Sequence, residues 1–159
     1  MTLDADNRPG SAPLRPQGRI LGLDVGDVRI GVAVSDPFRI IAQAHTVVVC
    51  SSEQRAVEAI AAIAAELDAV LIVAGVPLNR EGKPGPQAEK VLAFVARLRA
   101  ALDIEVVTLD ERYTTASAER KLIAANVRRK KRKAVIDKVA AQEILQTYLD
   151  SQKRPAPHP

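Results

Sequence analysis

The chain has 159 residues, 47% of them apolar and 26% charged, a balance that suits one folded domain with a real core. A single cysteine, Cys50, excludes an internal disulfide or a cysteine zinc cluster, and two histidines, His45 and His158, argue against a histidine-centred triad or zinc site. Any chemistry is therefore expected to rest on carboxylates, hydroxyls, Lys and Arg.

Residues 1–17 mix proline, glycine and charge with no apolar stretch, which reads as a disordered tail and not as a secretory signal. Arg19 to Asp24 and Ile30 to Ser35 read as adjacent strands joined by a turn at Gly26, and Arg39 to Cys50 holds a third β-rich stretch. Glu53 to Leu67 is helical, with Ser51 or Ser52 as its cap and Val57, Ile60, Ile63, Ala64 and Leu67 on one face. The short apolar run Ala69 to Ala74 fits a buried parallel strand. A Pro/Gly loop, Gly75 to Gly85, leads to a second amphipathic helix, Gln87 to Ala101. Glu105 to Leu109 is another buried strand, ended by Asp110-Glu111. Thr115 to Ala125 and Val135 to Leu149 supply two more helices, and Ser151 to Pro159, with three prolines, reads as a second tail. One domain, 18–150, lies between tails 1–17 and 151–159. No apolar run approaches the roughly 20 residues that a membrane-spanning helix needs, and a cytoplasmic protein is expected.

The charge is local. Lys and Arg outnumber Asp and Glu by 23 to 19, but six of the cations are consecutive: Arg128, Arg129, Lys130, Lys131, Arg132 and Lys133. Without them the balance is 17 to 19, a net −2. Six like charges in a row read as a solvated loop, which either serves solubility or binds a polyanion such as nucleic acid. Only Phe38, Phe94, Tyr113 and Tyr148 are aromatic, too few for a base-stacking platform. Backbone and shape recognition fits this composition better.

Asp24 ends an apolar strand and a glycine turn follows. A carboxylate at the tip of a core strand is costly unless something positive meets it, such as a metal ion or an arginine. The other reading is a turn aspartate that hydrogen-bonds its own hairpin. Three antiparallel strands followed by helix, strand, helix, strand and helix is the order of an α/β, RNase H-like fold, a five-stranded mixed sheet flanked by helices. In that fold strands one and four are neighbours at the centre, and acids belong at the ends of those two strands and on the last helix. Asp24 ends strand one, but Gly75 to Asn79 after strand four offers no acid; the pair Asp110-Glu111 ends strand five instead and Asp137 sits in the first turn of the last helix, a variation within the same scheme.

Four stretches then carry a specific resemblance: the first hairpin through Ser35-Asp36; Gly75-Val76-Pro77-Leu78-Asn79 with Glu81-Gly82; Asp110-Glu111-Arg112 with Thr114-Thr115; and Asp137 followed by Ala140-Ala141 and Ile144-Leu145. In this order they resemble the YqgF/RuvX family, described as pre-16S rRNA nucleases and as Holliday junction resolvases. The resemblance covers nearly all of Arg19 to Asp150 and places the family's catalytic acids on Asp24, Glu111 and Asp137. The turn Asp27-Val28-Arg29 departs from relatives that carry Thr-Lys-Arg or similar, which removes a lysine but leaves Asp24 and Arg29.

Acids of this kind suit Mg²⁺ or Mn²⁺, hard cations that take carboxylate, water and phosphate oxygens. Asp24, from its central strand, is expected to bridge two ions, with Glu111 and Asp137 each completing one site. Taken singly, Asp137 could serve its helix N-terminus and Glu111 could pair with Arg112. Asp110 is expected on the opposite face. Arg29 and Arg112 either position phosphate or pair with nearby acids, Thr114 and Thr115 fit a helix cap, and Asn79 flanks the site. The resemblance implies an endonuclease maturing the 5′ end of 16S rRNA, with branched-DNA resolution, which favours a homodimer, as the alternative. A non-catalytic RNA- or ribosome-binding factor is the rival from another class. An actin-like or sugar-kinase nucleotide site needs a second phosphate loop, and none is visible.

Overall fold

The structure, a computed structural model, describes residues 17–113 and 129–153, the stretch 129–135 by its backbone alone. The helix expected over Thr115 to Ala125, Thr114 and Thr115 themselves, Arg128, and most of both expected tails lie outside the described residues.

Five strands form one sheet: β1 (Arg19–Val25), β2 (Arg29–Ser35), β3 (Ala42–Val49), β4 (Ala69–Val76) and β5 (Glu105–Asp110), in the order β3-β2-β1-β4-β5. The β1–β2 and β2–β3 pairs are antiparallel, whereas β1–β4 and β4–β5 are parallel. This is the expected mixed sheet, with strands one and four adjacent. The central strands are apolar on both faces because both faces are covered.

On one side α1 (Glu53–Glu66) and α2 (Pro86–Ala101) bury Ile60, Phe94 and Leu98 against Leu21, Leu23, Val32 and Ile72. Ser52 caps α1, its Oγ accepting the Arg55 N–H at 3.1 Å, and Pro86 opens α2 where a missing N–H costs nothing. On the other side α3 (Arg129–Lys153) lays Ala140, Ala141, Ile144, Leu145 and Leu149 over Ile20, Ala33, Leu71 and Val73. Gln146 joins α3 to the start of β3, its Oε1 accepting the Ala42 N–H at 2.9 Å while its Nε2 donates to the Ile40 carbonyl at 3.1 Å.

Ser35 and Asp36, part of the resemblance, act structurally. The Ser35 hydroxyl accepts the Ile20 N–H and donates to the Asp36 carbonyl, and the Asp36 carboxylate accepts the N–H groups of Phe38, Ile40 and Ile41. Together they set the turn between β2 and β3, in which Arg39 is held at a φ of 60° by donating to the Gly18 and Gln17 carbonyls.

Two expectations for the last helix are corrected. Arg129 to Lys133 are its opening residues and not a loop, and Ser151 to Lys153 continue it where a tail was expected. Lys and Arg are strong helix formers. Once the apolar face around Ile144 anchors the helix, each added residue gains a hydrogen bond without a new nucleation cost. Like-charge pairs four apart oppose this by only about 0.2–0.5 kcal/mol each. Asp137 therefore lies about two turns inside the helix and not in its first turn.

Candidate active site

Asp24 lies on β1 with Ile20, facing α3, while Leu21 and Leu23 face the other helices. Its cross-strand partner on β2 is Gly31. On its other side β1 and β4 run in parallel register through Leu23 and Ala74, so the next residue along β4, Gly75, is the neighbour of Asp24.

Those two glycines make room for the other acids. A methyl group on Gly31 would overlap the Asp137 carbonyl, so α3 crosses β2 at this point with Asp137 against the backbone beside Asp24. A methyl group on Gly75 would stand 3.0 Å from the Glu111 Cγ, so Glu111, just past β5, reaches back across β4. The three acids thus gather on the α3 face, at the carboxyl ends of the three parallel strands. Asp24 and Glu111 are only 9% and 8% exposed, so each carboxylate is largely withdrawn from water. Asp137 is half-buried.

The gathering stops short of a preformed cluster: among the described residues no three acidic, His or Cys side chains stand close enough to hold one ion. Mutual repulsion between like charges favours this spacing. The donor set around Asp24 is nevertheless all carboxylate, the chemistry that Mg²⁺ and Mn²⁺ prefer.

Asp110 faces away from Glu111, as strand alternation predicts, and takes Arg112. The Arg112 guanidinium donates to both Asp110 oxygens, the shortest contact being 2.6 Å, and the Arg112 N–H adds another bond at 2.9 Å. Of the two roles read for Arg112, the structure shows the pairing with its neighbouring acid. Arg29 starts β2 on the same face as Gly31, at the acid end of the sheet. Asp27 meets Lys90 of α2 at 3.2 Å, so this turn position serves docking. Asn79 spends its side-chain oxygen within its own loop, accepting the Glu81 and Lys83 N–H groups. Of the basic run, Arg129, Lys130, Lys131, Arg132 and Lys133 lie in the turns of α3 that precede Asp137.

Cys50 is partly buried, which pushes its thiol pKa up and makes it a poor nucleophile. A cleft of about 410 Å³ under the β1–β2 turn, lined by Val25, Ala56, Gln87 and Phe94, opens on the α1 and α2 side, away from the acids. Sequence reasoning missed Gly31 and Gly75 as spacers. The available signal was a glycine inside each of two otherwise apolar strands, which marks a close approach.

The family model for RuvX, described as Holliday junction resolvase, matches residues 18–151. The chain belongs to this family. A Thermoanaerobacter pseudethanolicus protein named "Putative pre-16S rRNA nuclease" is 50% identical over 136 residues, 85% of this chain and 98% of that protein. A Clostridium botulinum protein of the same name is 47% identical over 133 residues, 84% and 97% of the two chains. Among solved structures, Thermus thermophilus RuvC in complex with a Holliday junction substrate superposes with a TM-score of 0.52 at 13% identity, covering 84% of this chain and 95% of that one. The fowlpox virus Holliday junction resolvase gives 0.50 at 12%, covering 84% and 99%. At such identities these two likenesses concern the fold alone, which is RNase H-like.

Proposed function

We propose that this protein is a cytoplasmic, divalent-metal-dependent endonuclease that matures the 5′ end of 16S rRNA precursors. The observation that carries this is the gathering of Asp24, Glu111 and Asp137 beside Gly31 and Gly75 at one end of an RNase H-like sheet. The names of relatives about 50% identical over nearly their whole length support the RNA substrate.

Asp24, Glu111 and Asp137 are the residues that would hold Mg²⁺ or Mn²⁺. Bound there, the cations would activate water and stabilise the leaving oxygen of the phosphodiester. Hydrolysis forms one phosphorus–oxygen bond from water and breaks the bond to the leaving sugar oxygen, which takes up a proton. The chain's own part is to hold three carboxylates on rigid elements, two strand ends and a helix interior. The low exposure of Asp24 and Glu111 keeps competing water away from them. Arg29, on the same face, and the cations Arg128 to Lys133 supply positive potential for a polyanion.

Junction resolution is the second reading, favoured by the description of the matching family. It calls for paired cuts and hence a homodimer, whereas trimming a precursor needs one site. Cleavage of a precursor rRNA fragment and a four-way DNA junction, side by side at one Mg²⁺ concentration, tests both. Cleavage of the RNA alone is expected. Cleavage of the junction alone, by a dimer, would replace this reading with the second. Tight RNA binding without cleavage in Mg²⁺ or Mn²⁺ would make the protein a binding factor.

A further inference from the structure

The loop that leaves β4 carries its own scaffold. Leu78 and Pro84 form an isolated antiparallel bridge, the Asn79 N–H donates to the Lys83 carbonyl, and the Gly82 N–H donates to the Asn79 carbonyl, both at 2.9 Å. The Asn79 side-chain oxygen accepts the Glu81 and Lys83 N–H groups at 3.0 and 2.8 Å, so one side chain closes the turn from inside. Gly82 takes a φ of 80°, a conformation that disfavours any side chain.

This small hairpin is fastened to the active-site end of β5. The Arg112 guanidinium covers Gly82, where a methyl group would come within 3.1–3.3 Å of it, and donates to the Arg80 carbonyl at 3.2 Å. The same guanidinium grips Asp110. Glu111 lies between the two gripping residues. The hairpin is thereby fixed relative to one of the three acids while the side chains of Arg80 and Lys83 remain exposed.

We propose that the Asn79–Lys83 hairpin is a preset contact for the sugar–phosphate backbone of the substrate, with Arg80 and Lys83 as its cations and Arg112 as the residue that positions it beside Glu111. The proposal rests on the nuclease reading above. A backbone already fixed loses less freedom on binding than a mobile arm would. Glu81 offsets part of the hairpin's charge at a distance, so the attraction is short-ranged and favours phosphates in direct contact over general steering. Arg112 donates to Asp110 and to the Arg80 carbonyl, which makes it a support for the contact.

The test titrates metal-free protein with a precursor rRNA fragment and with a four-way DNA junction between 50 and 200 mM salt. For R80S/K83S the log–log salt slope should become shallower by about 1.4–1.8, from about 0.7–0.9 per phosphate contact. The affinity lost across that range then shrinks roughly seven- to twelve-fold relative to wild type. Arg112→Gln should raise KM with little change in kcat, and should add nothing to the slope change in the R80S/K83S background, because it acts through the same cations. Arg112→Lys, which cannot bridge two partners in the same plane, should behave like the Gln variant. Thermal unfolding of each variant confirms that it is folded. An unchanged slope for a folded R80S/K83S protein overturns the contact, and additive slope changes overturn the positioning role of Arg112. A wild-type protein that binds neither probe overturns the nuclease reading and this proposal together.

Discussion

Each acid depends on a different local device. Asp24 is turned to the α3 face by strand alternation, Glu111 is carried back across Gly75, and Asp137 is delivered by a helix that needs Gly31 beneath it. Asp24→Asn is expected to abolish cleavage while nucleic-acid affinity and fold persist, since it removes one charge and no volume. Single-turnover cleavage at saturating Mg²⁺ checks this, and wild-type turnover by the variant would sink the proposed metal site. Gly31→Ala should be worse for the fold than for a strand glycine in open space. The added methyl meets main chain that cannot rotate away, an overpacking penalty of about 1–3 kcal/mol. Urea unfolding measures it. Asp36 lends itself to a pH test. Burial pushes its pKa up, but the N–H bonds from Ile41, Ile40 and Phe38 outweigh this and leave it below the ordinary 3.8. A depressed folded value stabilises above the unfolded pKa and is lost as pH falls through the folded one. The stability advantage of wild type over Asp36→Asn should therefore hold from pH 7 to about 5 and fade below the 3.8 reference. Denaturant curves at pH 7, 5 and 3 read it directly.

At the scale of elements, α3 does most to shape the site. It seals one face of the sheet, carries Asp137 in its interior and begins with the basic run. Helical geometry changes what that run is able to do. Arg129 to Lys133 occupy five consecutive positions of a helix with 3.6 residues per turn, so at most about three of those positions share a side. Replacing Arg128 to Lys133 with Gln, which keeps helix propensity, should make the salt slope for RNA shallower by roughly 2–3, from about three contacts at 0.7–0.9 each. A mobile loop with all six engaged would give about 4–5. An unchanged slope would reduce the run to a solubilising segment.

In the whole molecule one sheet is shared by two cores. Leu98 is fully buried on the α1 and α2 side and Leu145 on the α3 side, and β1 and β4 pass between them. Because each central strand contributes side chains to both faces, neither layer has a sheet of its own to keep if the other is lost. Leu98→Ala and Leu145→Ala should each cost about 2–5 kcal/mol. Each should preserve a single unfolding transition by circular dichroism and fluorescence alike. A separate early transition for Leu145→Ala would mean that α3 unfolds alone.

Much of this was legible in the chain because it is written in short-range patterns. Apolar runs marked β1 and β4, the period of Val57, Ile60 and Ala64 marked α1, and Asp24 and Glu111 were read at or just past strand ends, while Asp137, read in the first turn of the last helix, lies about two turns inside it. Alternation along β5 sufficed to separate Asp110 from Glu111. Tertiary structure decided the rest, because it depends on which backbones touch. Only the crossing of α3 over Gly31, and the return of Glu111 over Gly75, bring three scattered acids to the same end of the sheet. The fate of the basic run was hidden for the same reason: local repulsion argued for a loop, while the anchoring face that makes it helical lies further along the chain at Ala140 to Leu149. Arg112, equally able to reach a phosphate or an acid by its chemistry, meets Asp110 and, through the return of a loop, the carbonyl of Arg80, 32 residues earlier.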